Sequence, residues 1–401
     1  MASIVLLSVP AYGHLNPVLP IARELVRRGH DVTVFNEASF GPLIAATGAR
    51  FAAYPPVIHL DDFARTLRDG DMIAWIEMIF RATGPLLAAT RAALAAAPPD
   101  IIVHDGVAVW GEMLAAQLRR PSVSISTTFT SDAMPRSAGE VLRDTAGIVP
   151  RLPGFIAGFA AIARHGLLQF PHTLPLVPRR GTLTLMLTSR AFHPPSRWRD
   201  HPALRFVGCA IAPDTRAEQL DLGWRDGRPL LYVSLGTLHH GNAGFFDACL
   251  AAFADFPGQV LVSVGRGTDL SRYTGAPAHF VFAEAVPQLA VLAQTSVFLT
   301  HGGLNSIHEA LWHGVPMVAV PQQIEQLNNA RAMRAHGAGL VIEAGMGGRP
   351  VPAERLREAV MTVMAGRDRF AAAAAGIGAT LRAGGGFIAA ADAIEELANR
   401  S

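Results

Sequence analysis

Two stretches of this chain carry side chains whose types and spacing suit chemistry. In Tyr12-Gly13-His14-Leu15-Asn16-Pro17, His14 follows an apolar run at residues 4–9 and precedes apolar positions at helical spacing: Leu15, Val18, Leu19, Ala22, Leu25 and Val26. It is therefore expected between the carboxyl end of a strand and the amino end of a helix, where open α/β sheets place ligands. The positive end of a helix disfavours imidazolium, so the ring is expected to be neutral and able to take a proton from a hydroxyl. Its expected orienting partner is Asp105, which follows Ile101-Ile102-Val103 and His104. A carboxylate that accepts from one ring N–H fixes the tautomer and stabilises the imidazolium formed when the other nitrogen acts as a general base. The competing roles are structural: a satisfied turn histidine, and an aspartate that caps the next helix.

The second stretch runs Val297-Phe298-Leu299-Thr300-His301-Gly302-Gly303-Leu304-Asn305-Ser306-Ile307-His308-Glu309. It reads as a buried strand, a sharp glycine turn and a helix opened by Asn305 and Ser306. A helix start offers backbone N–H groups and the positive end of its dipole, which suits a diphosphate; His301, Asn305 and Ser306 add side-chain donors. Glu309 falls one turn beyond Asn305 on the same face, where its carboxylate can accept from two neighbouring ribose hydroxyls. Thr237, in Ser234-Leu235-Gly236-Thr237, ends another apolar run. It either bonds a phosphate oxygen or is an ordinary turn threonine.

Residues 286–329 resemble the donor-binding signature of the UDP-dependent glycosyltransferases of family 1. The matching pieces are Val286-Pro287-Gln288, residues 300–309, His313-Gly314-Val315-Pro316 and the acidic-amide pair Glu325-Gln326. The Gly-His-x-x-Pro segment at residues 13–17 matches the family's N-terminal half, so the resemblance covers nearly the whole chain. It implies the α/β GT-B fold, with two doubly wound Rossmann-like domains facing a central cleft. It also implies an inverting O-glycosyltransferase whose catalytic base is His14, paired with Asp105. Donor contacts are then expected from Thr237, Val286, Gln288, His301, Gly303, Asn305, Ser306, Glu309, Glu325 and Gln326. In the family the acidic-amide pair bonds the donor sugar's hydroxyls, and an amide in second place accompanies glucose; as helix-start residues the pair would need no ligand. One departure stands out. Where the plant branch has a tryptophan stacked on uracil, this chain has Ala285, which weakens any preference for uridine over thymidine; Phe282 is a core residue or a neighbour of the nucleotide.

The remaining sequence sets limits. At 401 residues the chain is too long for one ordinary core and comfortable for two. Strand-like and helical runs alternate in two sets, which implies parallel sheets wound by helices. The expected organisation is an acceptor domain at 1–207, a linker at 208–228, a donor domain at 229–385 and a last helix within 386–401 that packs back on the first domain, as the resemblance implies. A net charge of +2, with 16% charged residues and no long Lys/Arg run, gives no sign of a nucleic-acid partner. Cys209 and Cys249 have no metal-type spacing and fit a reducing compartment, so a cytoplasmic location is expected. The run at 4–9 reads as a strand rather than a signal peptide. The apolar stretch 154–170 is interrupted by Arg164 and His165, so no stable membrane insertion is expected, although a surface touching a membrane or a lipophilic acceptor stays open. Asp69-Gly70-Asp71 reads as a solvated turn rather than a metal site, and His239-His240 lack further ligands at metal spacing. Gly265-Arg266-Gly267 lacks the rest of a dinucleotide fingerprint. No metal and no cofactor is expected; the UDP-sugar is a co-substrate.

Trp75, Ile79, Trp110, Phe129, Met134, Phe155, Phe159 and Phe170 are the candidates to line an acceptor cavity, with an irregular loop at 171–178 near it. Such a lining suits a lipophilic alcohol or phenol: a polyketide, macrolide, flavonoid or terpenoid. Three alternatives remain open: a TDP-deoxysugar transferase, a nucleotide-sugar epimerase and a non-catalytic nucleotide-sugar binder. A monomer or weak dimer is expected. The departure at Ala285 generates a direct test. Ala285→Trp should tighten UDP and TDP alike, on the scale of about 1–3 kcal/mol for aromatic-base stacking. Unchanged calorimetric affinity of a folded variant for both nucleotides would show that position 285 does not face the base.

Overall fold

A computed structural model describes residues 1–62, 65, 72–133, 139, 142, 146–166, 183–212, 223–236 and 242–400. The chain divides into two compact units, residues 1–211 with 383–401, and residues 212–382. Among the described residues, the first unit runs β1 (Ser3–Leu7), α1 (Tyr12–Leu15), α2 (Val18–Arg27), β2 (Asp31–Asn36), α3 (Gly41–Ala45), β3 (Arg50–Ala53) and α4 (Met72–Ala93). It continues through β4 (Ile101–Asp105), α5 (Val109–Leu118), β5 (Ser122–Ser126), α6 (Leu152–Gly166), β6 (Leu183–Met186) and β7 (Leu204–Phe206). The second unit holds β8 (Leu230–Ser234), α7 (Ala243–Ala252), β9 (Gln259–Ser263), β10 (Phe280–Ala283), α8 (Gln288–Leu292), β11 (Val297–Thr300) and α9 (Leu304–Trp312). Then come β12 (Met317–Ala319), α10 (Ile324–Ala335), β13 (Gly339–Val341), α11 (Ala353–Ala365) and α12 (Arg367–Ala383), before α13 (Gly386–Ala398) rejoins the first unit.

Each unit is built on a parallel sheet, ordered β3-β2-β1-β4-β5-β6-β7 in the first and β10-β9-β8-β11-β12-β13 in the second. The side-chain period of two explains the layers. Ile4 and Leu6 of β1 join Val32 and Val34 of β2 in one core, against Leu19, Ile21 and Leu25 of α2 and Ala390 and Ile394 of α13. Val5 and Leu7 point to the other face, against Leu86 of α4 and Trp110 and Met113 of α5. Strands buried on both faces must be apolar throughout, which is why they read as continuous runs. In the second unit, Leu231, Val233, Val260, Val262 and Leu299 meet Phe246 of α7 and Leu356 and Val360 of α11. Cys209 and Cys249 are buried and are not joined in a disulfide.

Helix α6 departs from the sequence reading. The helical stretch Ala146–Arg164 begins earlier than the apolar run suggested, and by length and composition it is long enough to cross a membrane, with little of it buried. Its inner side lies on α4, where Phe80 meets the ring edges of Phe155 at 5.6 Å and Phe159 at 5.0 Å. Asp69-Gly70-Asp71, His239-His240, the loop 171–178 and residues 213–222 of the expected linker lie outside the described residues.

Ion pairs fix α13 to α2. Glu24, 5% exposed, accepts from Arg27 Nε at 2.7 Å and Arg28 Nε at 2.8 Å, while Arg28 Nη1 reaches Asp392 at 2.7 Å and Glu395 at 2.5 Å. His30 contributes through Nε2 to Glu395 at 2.6 Å, while its Nδ1 accepts from the Ala2 N–H at 3.2 Å. The arginine hydrogen bonds, Arg27 first, hold the Glu24 carboxyl down to about 2, against the desolvation that opposes them. A carboxyl depressed on folding stabilises the native state above its unfolded value, and the gain is lost as pH falls through the folded one. Thermal unfolding should therefore show Glu24→Gln less stable than wild type at pH 6–7. The gap should narrow from roughly pH 4.5 downward and be nearly closed at pH 2; a pH-independent gap would mean that packing rather than charge is lost.

Candidate functional site

The first sheet reverses its direction of growth between β1 and β4: β2 and β3 lie on one side, β5 to β7 on the other. Ligands of open α/β sheets bind at the carboxyl ends of strands at such a switch point. Three adjacent strands deliver side chains there. His14 lies in α1 beyond β1, Asp105 is the last residue of β4, and Thr127 follows β5. His14 Nδ1 is 2.7 Å from Asp105 Oδ2, and Thr127 Oγ1 is 3.3 Å from the same nitrogen. Asp105 is 2% exposed, and its Oδ1 accepts from the Val107 N–H at 2.8 Å. One carboxylate thus holds both its own turn and the imidazole; it does not cap the next helix, whose N-cap is Ala108 with no side-chain cap bond. With Nδ1–H donating to Asp105, Nε2 is the basic nitrogen of the neutral ring.

The helix setting differs from expectation. Instead of one helix starting at Leu15, the chain makes the single turn α1, breaks at Asn16-Pro17 and starts α2 at Val18. Proline lacks an amide donor and sits at the start of a helix, here as the N-cap of α2. His14 consequently occupies the end of a short turn rather than the amino end of a long dipole, and the dipole gives no reason for its neutrality. His104, next to Asp105 in the chain, is buried on β4, donates through Nδ1 to the Asp105 carbonyl at 2.9 Å, and is pushed down by desolvation. His104 is a structural neutral ring.

The second sheet has its switch point at β8, between β9 and β11. His301 follows β11 and is clamped by two glycines. A Cβ on Gly236, which has φ of +75°, would fall 2.5 Å from His301 Cε1, and a Cβ on Gly303 would fall 2.5 Å from Nε2. Gly303 is the N-cap of α9, so Asn305 and Ser306 lie in its first turn. Glu309, 2% exposed, receives Gln288 Nε2 at 2.6 Å. His308 beside it is fully inside the protein, and burial pushes it down to about 3, which keeps it neutral.

The acidic-amide pair is engaged by its own turn. Gln326 Oε1 accepts from the Gln322 N–H at 2.8 Å, in the manner of an N-terminal cap, and Glu325 Oε1 accepts from Asn329 Nδ2 at 2.6 Å. Asn329 Nδ2 also lies 3.3 Å from the Gly302 carbonyl, linking α10 to the glycine turn. Val286 is buried and Ala285 is exposed. Thr237 lies outside the described residues.

The acceptor candidates differ in burial. Ile79, Trp110 and Phe129 are 4%, 0% and 0% exposed. They belong to the core: Trp110 Nε1 donates to Tyr54 Oη at 3.2 Å, and Phe129 sits between Phe192 and His193. Trp75 and Phe155 are half-buried and Phe159 is exposed, while Met134 and Phe170 lie outside the described residues. Thr127, Asn329 and Tyr232 were not singled out from sequence. No motif marks them, since each acts through a contact far away in the chain.

Residues 226–369 match the profile of the family described as UDP-glucoronosyl and UDP-glucosyl transferase. The chain is 30% identical over 369 residues to the oleandomycin glycosyltransferase of Streptomyces antibioticus, covering 90% of this chain and 83% of that protein. It is 26% identical over 401 residues to the uncharacterized UDP-glucosyltransferase YojK of Bacillus subtilis (strain 168), covering 99% and 97%. The crystal structure of the glycotransferase of kitacinnamycin superposes with a TM-score of 0.80 at 32% identity, covering 99% of this chain and 98% of that one.

The His14 geometry makes a prediction independent of any substrate. NMR of the ring nitrogens should find the neutral ring protonated at Nδ1, and Asp105→Asn should erode that preference, because an amide can present either a donor or an acceptor. A neutral ring protonated at Nε2 in the wild type would contradict the arrangement.

Proposed function

The chain belongs to the UDP-glucoronosyl and UDP-glucosyl transferase family and is a glycosyltransferase of natural-product type with the GT-B fold; from that premise we propose that it moves glucose from a UDP-sugar to a hydroxyl of a lipophilic small molecule, inverting the anomeric carbon. The observation that carries the reading is the 2.7 Å contact between His14 and the buried Asp105 carboxylate at the switch point of the first sheet. His14 Nε2 takes the acceptor hydroxyl's proton while that oxygen bonds to the anomeric carbon. The bond from that carbon to the diphosphate breaks, and its electron pair leaves on UDP. Asp105 stabilises the imidazolium, and the α9 start with His301 stabilises the departing diphosphate. Glu309 takes the ribose hydroxyls, and Gln326 and Glu325 take those of the sugar. The engagement of Gln326 Oε1 with the Gln322 backbone leaves its amide N–H groups as the ones to offer a sugar.

A TDP-deoxysugar donor is the second reading, favoured by one observation: exposed Ala285 stands where the plant branch has its stacking ring. Mass spectrometry of a panel of lipophilic alcohols and phenols against UDP-glucose and TDP-glucose tests both. A hexose adduct from UDP-glucose is expected, and a product from TDP-glucose alone would replace the first reading by the second. Isomerised donor without adduct would indicate an epimerase, and no consumption a binder. In the same assay, His14→Ala should keep UDP affinity and lose about two to four powers of ten in turnover with an alcohol. Retained turnover would remove His14 from the base role.

A further inference from the structure

Gln288, the first residue of α8, joins three elements of the second unit. Its Oε1 is 3.1 Å from Tyr232 Oη on β8, and its Nε2 is 2.6 Å from Glu309 Oε2 and 3.4 Å from Ser306 Oγ on α9. The direction of the amide follows from chemistry. A carboxylate oxygen only accepts, so Gln288 must present its NH2 to Glu309, and its carbonyl must then face Tyr232, whose hydroxyl donates. Tyr232 is a fixed anchor. Its side chain is 1% exposed, and its ring stacks on Phe298 at 4.7 Å between centroids and 5° between planes. A phenol held this way cannot follow the amide if the amide turns; the amide must conform to the phenol.

We propose that Tyr232 is a positioning residue for the donor's ribose. Through the Gln288 amide it holds the Glu309 carboxylate in the orientation that accepts from a 2′,3′-diol, and so it helps select ribonucleotide donors over those that lack the diol. The proposal rests on the reading of Glu309 as the ribose carboxylate. Its physical basis is preorganisation: a glutamate side chain is flexible, and fixing one of its oxygens in advance lowers the ordering cost of pairing the diol. A 2′-deoxyribose supplies one hydroxyl instead of two, so it gains less from a carboxylate set for both. Tyr232 needs no contact with the ligand for this effect.

Calorimetry with UDP and 2′,3′-dideoxy-UDP on the full chain tests the proposal. Wild type should prefer UDP, and Glu309→Gln should lose most of that preference. Tyr232→Phe, which keeps the stacking ring, should weaken UDP by about three- to tenfold, the scale of one hydrogen bond. The dideoxy nucleotide should be unaffected. A Gln288→Met background should abolish the effect of Tyr232→Phe, because the tyrosine acts only through the amide. Gln288→Met alone should also show a loss confined to UDP, which keeps the proposal testable if Tyr232→Phe does not fold. Equal losses for both nucleotides, no loss for either, or additive losses in the double variant would overturn the positioning role while leaving Glu309 in place. Absence of any UDP preference in wild type, with Glu309→Gln neutral, would overturn the ribose reading and this proposal with it.

Discussion

A carboxylate taken out of water must find donors inside the protein, because an uncompensated buried charge costs several kcal/mol. This chain meets that demand at the working end of each sheet. Asp105 and Glu309 are both 2% exposed, and each is paired with a neutral side-chain donor: the His14 imidazole in the first unit and the Gln288 amide in the second. In each case the burial that makes the carboxylate costly also makes its partner's orientation obligatory. The imidazole is held as one tautomer, and the amide as one of its two flips. Chemistry that depends on where a proton or lone pair points then needs no rearrangement when a ligand arrives.

Both carboxylates owe their places to sheet topology. Asp105 closes β4, one strand across the reversal from β1, which leads into His14. Glu309 lies on the helix following β11, which pairs directly with β8, the strand that carries Tyr232. Parallel strands put the ends of consecutive crossovers on one edge of the sheet, so residues distant in sequence converge without long loops. Thr127, after β5, joins His14 for the same reason, although 113 positions separate them. The glycine clamp around His301 adds a steric condition. Larger residues at 236 or 303 would occupy the volume of the ring itself.

What the sequence revealed follows from what leaves a local trace. The central strands β1, β4, β8 and β11 are buried on both faces, so they appear as apolar runs, and the residues at or just beyond their ends could be read as site candidates. The short strands β3, β7 and β13 lie at sheet edges with partly exposed side chains, and they leave no such run. The break between α1 and α2 was marked by Pro17, yet the helical spacing on either side obscured it. Side-chain partners at long range left no trace at all. Nothing around Gln288 points to Tyr232, 56 positions away, and only the need of a carboxylate for donors hints that Glu309 has a partner.

Aromatic residues posed the opposite problem, because the same apolar side chain serves a core and a ligand wall. Trp110 and Phe129 looked suited to an acceptor cavity, but Trp110 places its one polar atom on Tyr54, and Phe129 is closed in by Phe192 and His193. Their surface is already spent on folding. If a lipophilic acceptor contacts the described part of the first unit through apolar side chains, those contacts fall to residues that retain surface, and α4 and α6 supply them in Trp75, Phe155 and Phe159. These helices meet through ring edges on Phe80 and a close approach of Gly84 to Ala161, not through the sheet. Their exposed faces can change without disturbing the strands that hold His14 and Asp105. In this unit a buried carboxylate fixes the orientation of a ring at a strand end, while the apolar surface left exposed lies on helices that pack beside the sheet.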